Sequence, residues 1–202
     1  MGLGKSLTSI ALIHTYIASP ILSRLRSLQT PPPQSSSPRV LVVAPKNVVN
    51  NWEAEFLKWD SGRMITVHNS TDLTVAQRPG CIARWHSTGG VLLLSKDTLS
   101  VCQKSSLPKK DKKTSSLEQP HPSHVTAFSQ LCTPDLIICD EAHQYIRNKS
   151  SQIYAALTKV HPQAMRVALT GTPIQNNLAE YFYMLDWLRP DCLGTYEHFE
   201  QE

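Results

Sequence analysis

Residues 136–143 read LIICDEAH. The unbroken apolar run LIIC is followed directly by two carboxylates, and a histidine stands at residue 143. A short continuous apolar stretch is typical of a strand buried on both faces, as in a parallel sheet. Open α/β sheets bind their ligands at the carboxyl ends of such strands. Asp140 is therefore a candidate magnesium ligand, and Glu141 is a candidate for orienting an attacking water. The competing interpretation is a helix N-cap followed by an acidic first-turn residue.

Other apolar runs share these features and are predicted to be strands of the same sheet: residues 39–44 (RVLVVA), 91–95 (VLLLS) and 166–170 (RVALT). Segments with apolar residues at helical spacing alternate with them: residues 5–18, the segment after Pro45, and residues 177–188. This alternation predicts an α/β fold, in which helices cover a mostly parallel sheet on both faces.

Weaker patterns predict a strand at residues 64–68 and a helix at residues 72–86 that Pro79-Gly80 interrupts. We expect flexible loops at residues 29–38 (QTPPPQSSSP) and 103–123, which are poor in apolar residues. The basic run within the second loop, KKDKK, is interpreted as solvated rather than as a nuclear-import or DNA-binding patch. Helical spacing favours core packing over base stacking for Trp52 and Trp59.

The composition is that of a globular chain of one domain. Of its 202 residues, 41% are hydrophobic and 18% charged, and the formal net charge is +4. This charge permits nucleic-acid binding without arguing for it. No run of about 18 apolar residues is present, so we expect no membrane-spanning helix. The five cysteines form no C-x-x-C pair, which favours buried or free thiols over a zinc site.

A second candidate site lies at the start of the chain. Gly4-Lys5-Ser6 fills the last three places of the phosphate-binding pattern G-x-x-x-x-G-K-[ST]. In such a loop, backbone N–H groups at a helix N-terminus cradle phosphate, lysine neutralises the β- and γ-phosphates, and the hydroxyl ligates magnesium. The predicted cofactor-binding residues are Gly2, Leu3, Gly4, Lys5 and Ser6, and the predicted metal ligands are Ser6 and Asp140. Alone, a Gly-rich start to a helix is more often a tight turn.

A third turn, Thr170-Gly171-Thr172-Pro173, follows the predicted strand at 166–170. It is either an ordinary turn or a further loop at the same sheet edge that senses phosphate. Three such loops at one edge are far less expected by accident than any one of them. The sequence therefore predicts that the three turns converge around one triphosphate, with Lys5, Asp140 and Glu141 as the catalytic residues.

Taken in order, these segments resemble the SWI/SNF-type chromatin-remodelling ATPases of helicase superfamily two over most of the chain. The matching strings are MGLGKS (1–6), VLVVAP (40–45) followed by NW (51–52) and EFLKW (55–59), GGVLLLS (89–95), DEAH (140–143) with RN (147–148), and LTGTPIQNN (169–177). The last is the most specific, because RNA helicases of this superfamily usually carry a shorter Ser-Ala-Thr-like element there. The strand at 89–95 and the tail at 186–199 favour the subgroup of the alpha-thalassaemia X-linked and androgen-receptor-interacting remodellers.

The resemblance implies the first RecA-like lobe of a P-loop NTPase, which uses ATP and Mg²⁺ and pairs with a second lobe. It implies a nuclear enzyme that moves along double-stranded DNA or chromatin. The residues that would couple nucleotide state to DNA grip are His143, Thr170, Gly171, Thr172 and Gln175. The candidates for DNA-backbone contact are Pro45, Lys46 and Ser95, and contacts of that kind are salt-sensitive and indifferent to sequence.

The ends of the sequence limit what we expect of residues 1–202 by themselves. The start of the phosphate loop and the strand before it would lie upstream of Met1, which would leave residues 166–170 as an exposed apolar edge. We expect the second lobe to lie outside residues 1–202, and the arginine that such a lobe supplies is typically worth ~10³–10⁵ in rate. We therefore expect weak ATPase activity or none. The alternatives are a catalytically incompetent remnant that binds DNA or a partner, and a strand-separating or RNA-directed helicase.

Overall fold

The computed structural model of the chain describes residues 4–21, 35, 37–110, 117–148, 151–171 and 178–201. The strands in these ranges are β1 (Arg39–Ala44), β2 (Val67–Asn69), β3 (Gly90–Ser95), β4 (Lys109–Lys110), β5 (Leu117–Glu118), β6 (Leu136–Asp140) and β7 (Met165–Leu169). The helices are α1 (Lys5–Ala18), α2 (Lys46–Trp59), α3 (Arg78–Thr88), α4 (Lys96–Ser105), α5 (Pro122–Leu131), α6 (Gln152–Leu157), α7 (Leu178–Leu188) and α8 (Tyr196–Gln201), with a 3₁₀ turn at Ala142–Gln144.

Five of these strands form one parallel sheet in the order β2-β3-β1-β6-β7. The register aligns the carboxyl ends of the strands, because Ala44 pairs with Ser95 and Asp140 pairs with Leu169. The turns after β1, β3, β6 and β7 therefore leave the sheet at the same edge. The predicted parallel α/β fold is confirmed, and the strands at 39–44, 91–95 and 136–139 are within one residue of their predicted bounds.

Helices cover both faces of the sheet, as predicted. Val40 and Val42 of β1 pack with buried residues of α1 and α2, whereas Leu41 and Val43 pack with buried residues of α3 to α7. All four side chains are at most 1% exposed. Burial on both faces explains why these strands are continuous apolar runs rather than alternating ones. Core packing on both faces therefore supports the strands whose carboxyl ends form this edge of the sheet.

Strand β7 borders the sheet in the described part of the chain. Its residues are exposed or half-buried, whereas every residue of β6 is buried. The predicted apolar edge is therefore present within the described residues. The Arg166 guanidinium anchors this strand to α7, because it donates to the Trp187 carbonyl oxygen at 2.6 Å and lies 5.6 Å from the centre of the Trp187 ring.

Two of the weaker predictions need correction. The strand predicted at 64–68 begins only at Val67, and the Met64 side chain is 76% exposed. The helix predicted at 72–86 begins at Arg78, so Pro79 lies in its first turn. A backbone N–H at that position has no helical acceptor, so proline is tolerated there and begins the helix instead of interrupting it.

The described parts of the segment at 103–123 also differ from the predicted flexible loop. Helix α4 continues to Ser105, α5 begins at Pro122, and β4 pairs with β5 in a short antiparallel ladder. Residues 111–116 lie outside the described ranges, as do 29–34 and 36 of the other predicted loop. Low apolar content alone missed the two helix ends, because both helices bury residues outside this segment.

Only one of the two tryptophans of α2 belongs to the core. Trp52 is 1% exposed, as predicted, but Trp59 is 43% exposed and the core prediction is wrong for it. The Trp59 indole donates to Glu55 Oε2 at 2.7 Å, and Lys58 Nζ lies 4.6 Å from the ring centre. Trp59 thus packs along the surface of its own helix.

All five cysteines are free thiols, as predicted. Burial raises the pKa of Cys102 and of Cys132 to about 11, so both stay protonated at neutral pH. None of the helices in the described ranges combines the length and the apolar character needed to cross a bilayer.

Candidate functional site

The N-terminus of α1 forms one side of the candidate site. Gly4 precedes the helix in a left-handed conformation (φ 68°), which glycine adopts without a Cβ penalty. The first helical hydrogen bond runs from Thr8 N to Gly4 O at 2.9 Å. The N–H groups of the preceding residues have no acceptor within the helix, so this end favours an anion. Gly2 and Leu3 lie outside the described residues.

The first and second motifs meet in an ion pair. Lys5 Nζ lies 2.6 Å from Glu141 Oε1, although 136 positions separate the two residues in the sequence. Both side chains are a little more than one quarter exposed, so the pair remains accessible to a ligand. Glu141 has a left-handed backbone (φ 49°), a conformation that costs a non-glycine residue of order 1–3 kcal/mol. Strain of this kind is common where a side chain must be aimed at a site.

Asp140 is the buried carboxylate of the site, at 5% exposure. Its Oδ1 accepts the Glu141 backbone N–H at 2.9 Å, and its Oδ2 accepts the Trp52 indole N–H at 2.9 Å. A carboxylate has about four lone-pair sites, so both oxygens retain acceptor capacity. The Asp140 side chain is therefore held from two directions and can still serve as a ligand.

Tyr145 fixes the backbone of the same turn. Its hydroxyl lies 2.8 Å from the Asp140 carbonyl oxygen and 3.0 Å from the Val43 carbonyl oxygen, and donates to this pair of acceptors. Burial raises the pKa of Tyr145 well above its ordinary value, so the hydroxyl stays protonated and remains a donor. Tyr145 therefore ties the carboxyl end of β6 to that of β1.

Sequence reasoning did not assign Trp52 or Tyr145 to the site. A signal for both exists, because a buried indole N–H or phenol hydroxyl needs an acceptor. Helix α2 follows β1 directly, so its buried face lies near the carboxyl edge of the sheet. The acceptor itself is 88 positions away from Trp52, and no spacing rule points to it.

The third turn joins the same cluster. His143 Nδ1 lies 2.6 Å from Thr170 Oγ1 and 3.5 Å from Glu141 Oε2. A methyl group on Gly171 would lie 3.9 Å from Lys5 Nζ, so this backbone passes beside the ammonium. The predicted convergence of the three turns is confirmed for their described residues. Thr172 and Gln175 lie outside the described ranges, and the roles of all these residues in ATP chemistry stay predictions.

The DNA-contact candidates lie at two neighbouring strand ends. Pro45 is buried at the start of α2, and Lys46 beside it is exposed. Ser95 is 1% exposed, and its hydroxyl caps α4 by accepting the Thr98 backbone N–H at 3.0 Å. This geometry favours a structural role for Ser95. Lys46 is the member of the three that offers an exposed positive charge.

A parallel five-stranded sheet with helices on both faces and polar turns gathered at its carboxyl edge defines an α/β lobe of the RecA-like class. The chain matches the SNF2-related domain over residues 1–202, and it belongs to that family. The resemblance to the SWI/SNF-type ATPases is thereby confirmed.

Relatives of this chain include a transcriptional regulator, a helicase and a DNA repair protein. It is similar to the transcriptional regulator ATRX homolog of Caenorhabditis elegans (33% identical over 210 residues, 98% of this chain and 14% of the relative). It is similar to helicase ARIP4 of Mus musculus (36% identical over 236 residues, 98% of this chain and 15% of the relative). It is also similar to the DNA repair and recombination protein RAD54 of Oryza sativa subsp. japonica (30% identical over 208 residues, 100% of this chain and 17% of the relative). The chain spans less than one fifth of the length of each of these relatives.

Proposed function

We propose that the chain is the ATP-binding lobe of a nuclear, ATP-dependent double-stranded DNA translocase of the chromatin-remodelling kind. The observation that carries this proposal is the 2.6 Å contact between Lys5 Nζ and Glu141 Oε1 at the N-terminus of α1. It joins the end of a phosphate-loop pattern to an acidic turn at the carboxyl edge of a parallel sheet. Membership of the SNF2-related family and the similarity to a transcriptional regulator and a DNA repair protein support the same function.

The chemistry of these residues fits a magnesium–triphosphate ligand. Mg²⁺ prefers oxygen ligands, and Asp140 and Ser6 supply a carboxylate and a hydroxyl. Lys5 and the N-terminus of α1 complement the negative phosphates. When bound, Mg²⁺ neutralises charge on the phosphate oxygens. The residues of this chain would bind and orient the nucleotide, and Glu141 would position a water.

The contact between His143 and Thr170 would couple the proposed nucleotide site to other parts of the proposed translocase. It links the turn after β6 to the turn after β7, and the second turn leads toward α7. A change at Glu141 would reach Thr170 through His143, which lies within 3.5 Å of both side chains. We propose that this pair reports nucleotide occupancy to the DNA-binding face and to a second lobe.

Thermal protection by nucleotide tests the proposed function. Binding to the native state alone raises stability by about 2.7 kcal/mol when the ligand is present at 100 times its Kd. We expect MgATP, or a non-hydrolysable analogue, to raise the melting temperature of the chain in a concentration-dependent way. No shift at millimolar MgATP would contradict the proposal and favour the remnant interpretation.

The Glu141→Gln substitution is expected to tighten nucleotide binding by about fivefold. In the native protein Glu141 holds the Lys5 ammonium, so the phosphates must compete with this carboxylate for Lys5. Glutamine removes the competing charge, and a partly exposed ion pair is worth up to about 1 kcal/mol. Titration with a fluorescent ATP analogue measures the change.

The matched control for that substitution is Glu55→Gln, which makes the same change of charge on α2. Glu55 bonds the Trp59 indole, and its substitution should leave nucleotide affinity unchanged. Weaker nucleotide binding by Glu141→Gln than by the wild type would show that Glu141 does not compete for Lys5.

The Lys46→Ala substitution is expected to weaken binding to duplex DNA several-fold, to the same extent for unrelated sequences. Each phosphate contact contributes roughly 0.9 to the slope of log affinity against log salt, so this slope should fall by about that amount. Fluorescence anisotropy at salt concentrations between roughly 50 and 200 mM provides the measurement. Lys58→Ala is the control, since Lys58 lies exposed at the other end of α2. Equal losses in the two variants would contradict the assignment of Lys46.

A further inference from the structure

We propose that Trp52 is a positioning residue, whose indole N–H fixes the Asp140 carboxylate in the orientation that magnesium-dependent nucleotide binding requires. This inference rests on the proposed function of the site. It assigns a role at the site to a core residue of α2, a helix that contributes none of the predicted nucleotide-binding residues.

The contact is short, buried and directed at a single oxygen. Trp52 Nε1 lies 2.9 Å from Asp140 Oδ2, and the two residues are 1% and 5% exposed. The other oxygen, Oδ1, accepts the Glu141 backbone N–H at 2.9 Å. The backbone bond restrains one oxygen from within the turn, and the indole restrains the other from a separate helix. Together they fix the rotation of the carboxylate plane.

The donor is held by the core rather than by a loop. The Trp52 ring packs against Phe56, with ring centroids 6.3 Å apart. Helix α2 begins directly after β1, and β1 pairs with β6 from Val40 beside Leu136 to Val43 beside Cys139. Asp140 therefore ends β6, and Trp52 lies on the helix that directly follows the neighbouring strand β1, which pairs with β6 in a fixed register. By contrast, the Lys5 and Glu141 side chains are more than one quarter exposed.

Loss of the indole N–H has a specific consequence. The terminal torsion of an aspartate is broad, so the side chain can turn once Oδ2 has lost its donor. A buried oxygen left without a donor also carries a desolvation penalty and will seek another partner. The magnesium-dependent part of nucleotide binding should then weaken. The part that depends on Lys5 and the N-terminus of α1 does not use Asp140 and should persist.

The test compares nucleotide affinity in excess Mg²⁺ with affinity in EDTA for the whole chain. The substitution Trp52→Phe keeps an aromatic ring in the core but removes the donor and part of the ring volume. We expect the ratio of the two affinities to fall about tenfold, as for a hydrogen bond to a charged group, with the EDTA affinity within about twofold of the wild type. A fluorescent ATP analogue reports both affinities without any need for turnover.

Trp85→Phe is the matched control. Trp85 is also fully buried, and its indole donates to the Gly90 carbonyl oxygen at 3.1 Å, far along β3 from the site. The Trp85→Phe variant also loses an indole N–H hydrogen bond. We expect it to keep the wild-type ratio of the affinity in Mg²⁺ to the affinity in EDTA. If Trp52→Phe does not fold, replacement of Trp52 by its benzothienyl isostere removes the N–H with almost no change of shape.

The outcomes separate the inference from the proposed function. A wild-type ratio in the Trp52 variant, or a parallel fall of the affinities in Mg²⁺ and in EDTA, overturns the role of Trp52 alone. Absence of nucleotide binding by the wild-type chain under both conditions overturns the proposed function and this inference with it. A selective loss of the magnesium effect, absent from Trp85→Phe, supports the inference.

Discussion

Lys5→Ala should lower the affinity of the chain for MgATP by roughly 10²-fold and remove its thermal protection by nucleotide. The Lys5 ammonium lies at the N-terminus of α1, beside the Gly171 backbone and 2.6 Å from Glu141. It is the cation that would meet the β- and γ-phosphates, and a charge-assisted hydrogen bond is worth about 1.5–3 kcal/mol. Titration with a fluorescent analogue, together with melting curves, measures both effects.

The stability of the variant without nucleotide provides the control. An ion pair between side chains that are more than one quarter exposed contributes little, so Lys5→Ala should melt within a few degrees of the wild type. Lys58→Ala removes a surface lysine of α2 and should bind nucleotide normally. Retention of wild-type affinity by Lys5→Ala would show that phosphate does not bind at the start of α1.

Gly89→Ala should destabilise the fold by about 3 kcal/mol, which is the largest stability effect that we expect from a single added methyl group. Gly89 ends α3 with φ 76° and ψ −157°, a region that is essentially restricted to glycine. A Cβ at this position would lie 2.1 Å from the Ser37 carbonyl oxygen, so the backbone before β1 would have to move. Because β1 is the central strand, that movement would disturb the sheet.

The matched control is Gly80→Ala within α3. A Cβ on Gly80 meets no atom within 4 Å, and alanine is favoured over glycine in a helix by roughly 0.5–1 kcal/mol. For a domain of this size, Gly89→Ala should lower the melting temperature by about 6–12 °C, while Gly80→Ala leaves it unchanged or raises it slightly. Similar melting temperatures for the two variants would contradict the conformation described for Gly89.

The central strands of the sheet were predictable because burial on both faces leaves a simple signature. Residues 40–44, 91–94 and 136–139 are uninterrupted apolar runs, and each is flanked by polar or turn residues. The convergence of Lys5, Glu141 and Thr170 followed from the parallel fold, since parallel strands bring their carboxyl ends to one edge. No distance was needed for that prediction, only the alternation of strands and helices.

Other features depend on contacts that local sequence does not encode. Pro79 reads as a breaker until the start of α3 is known, and the same residue then suits the first turn of the helix. Trp52 and Trp59 share one helix and similar spacing, yet only Trp52 meets the sheet. Ser95 matched a family motif, but its hydroxyl is consumed as the cap of α4. The bond from Trp52 to Asp140 joins residues 88 positions apart and required the tertiary fold.

The central claim is that the turns around Lys5, Asp140 and Thr170 surround the phosphates of one bound nucleotide. An acyl-phosphate derivative of ATP tests this claim most directly, because it transfers its acyl group to a lysine that lies beside the phosphates. Peptide mass spectrometry should find Lys5 as the principal site of labelling, and excess MgATP should suppress the label. Labelling spread over surface lysines such as Lys46 and Lys58, with no protection by MgATP, would contradict the claim.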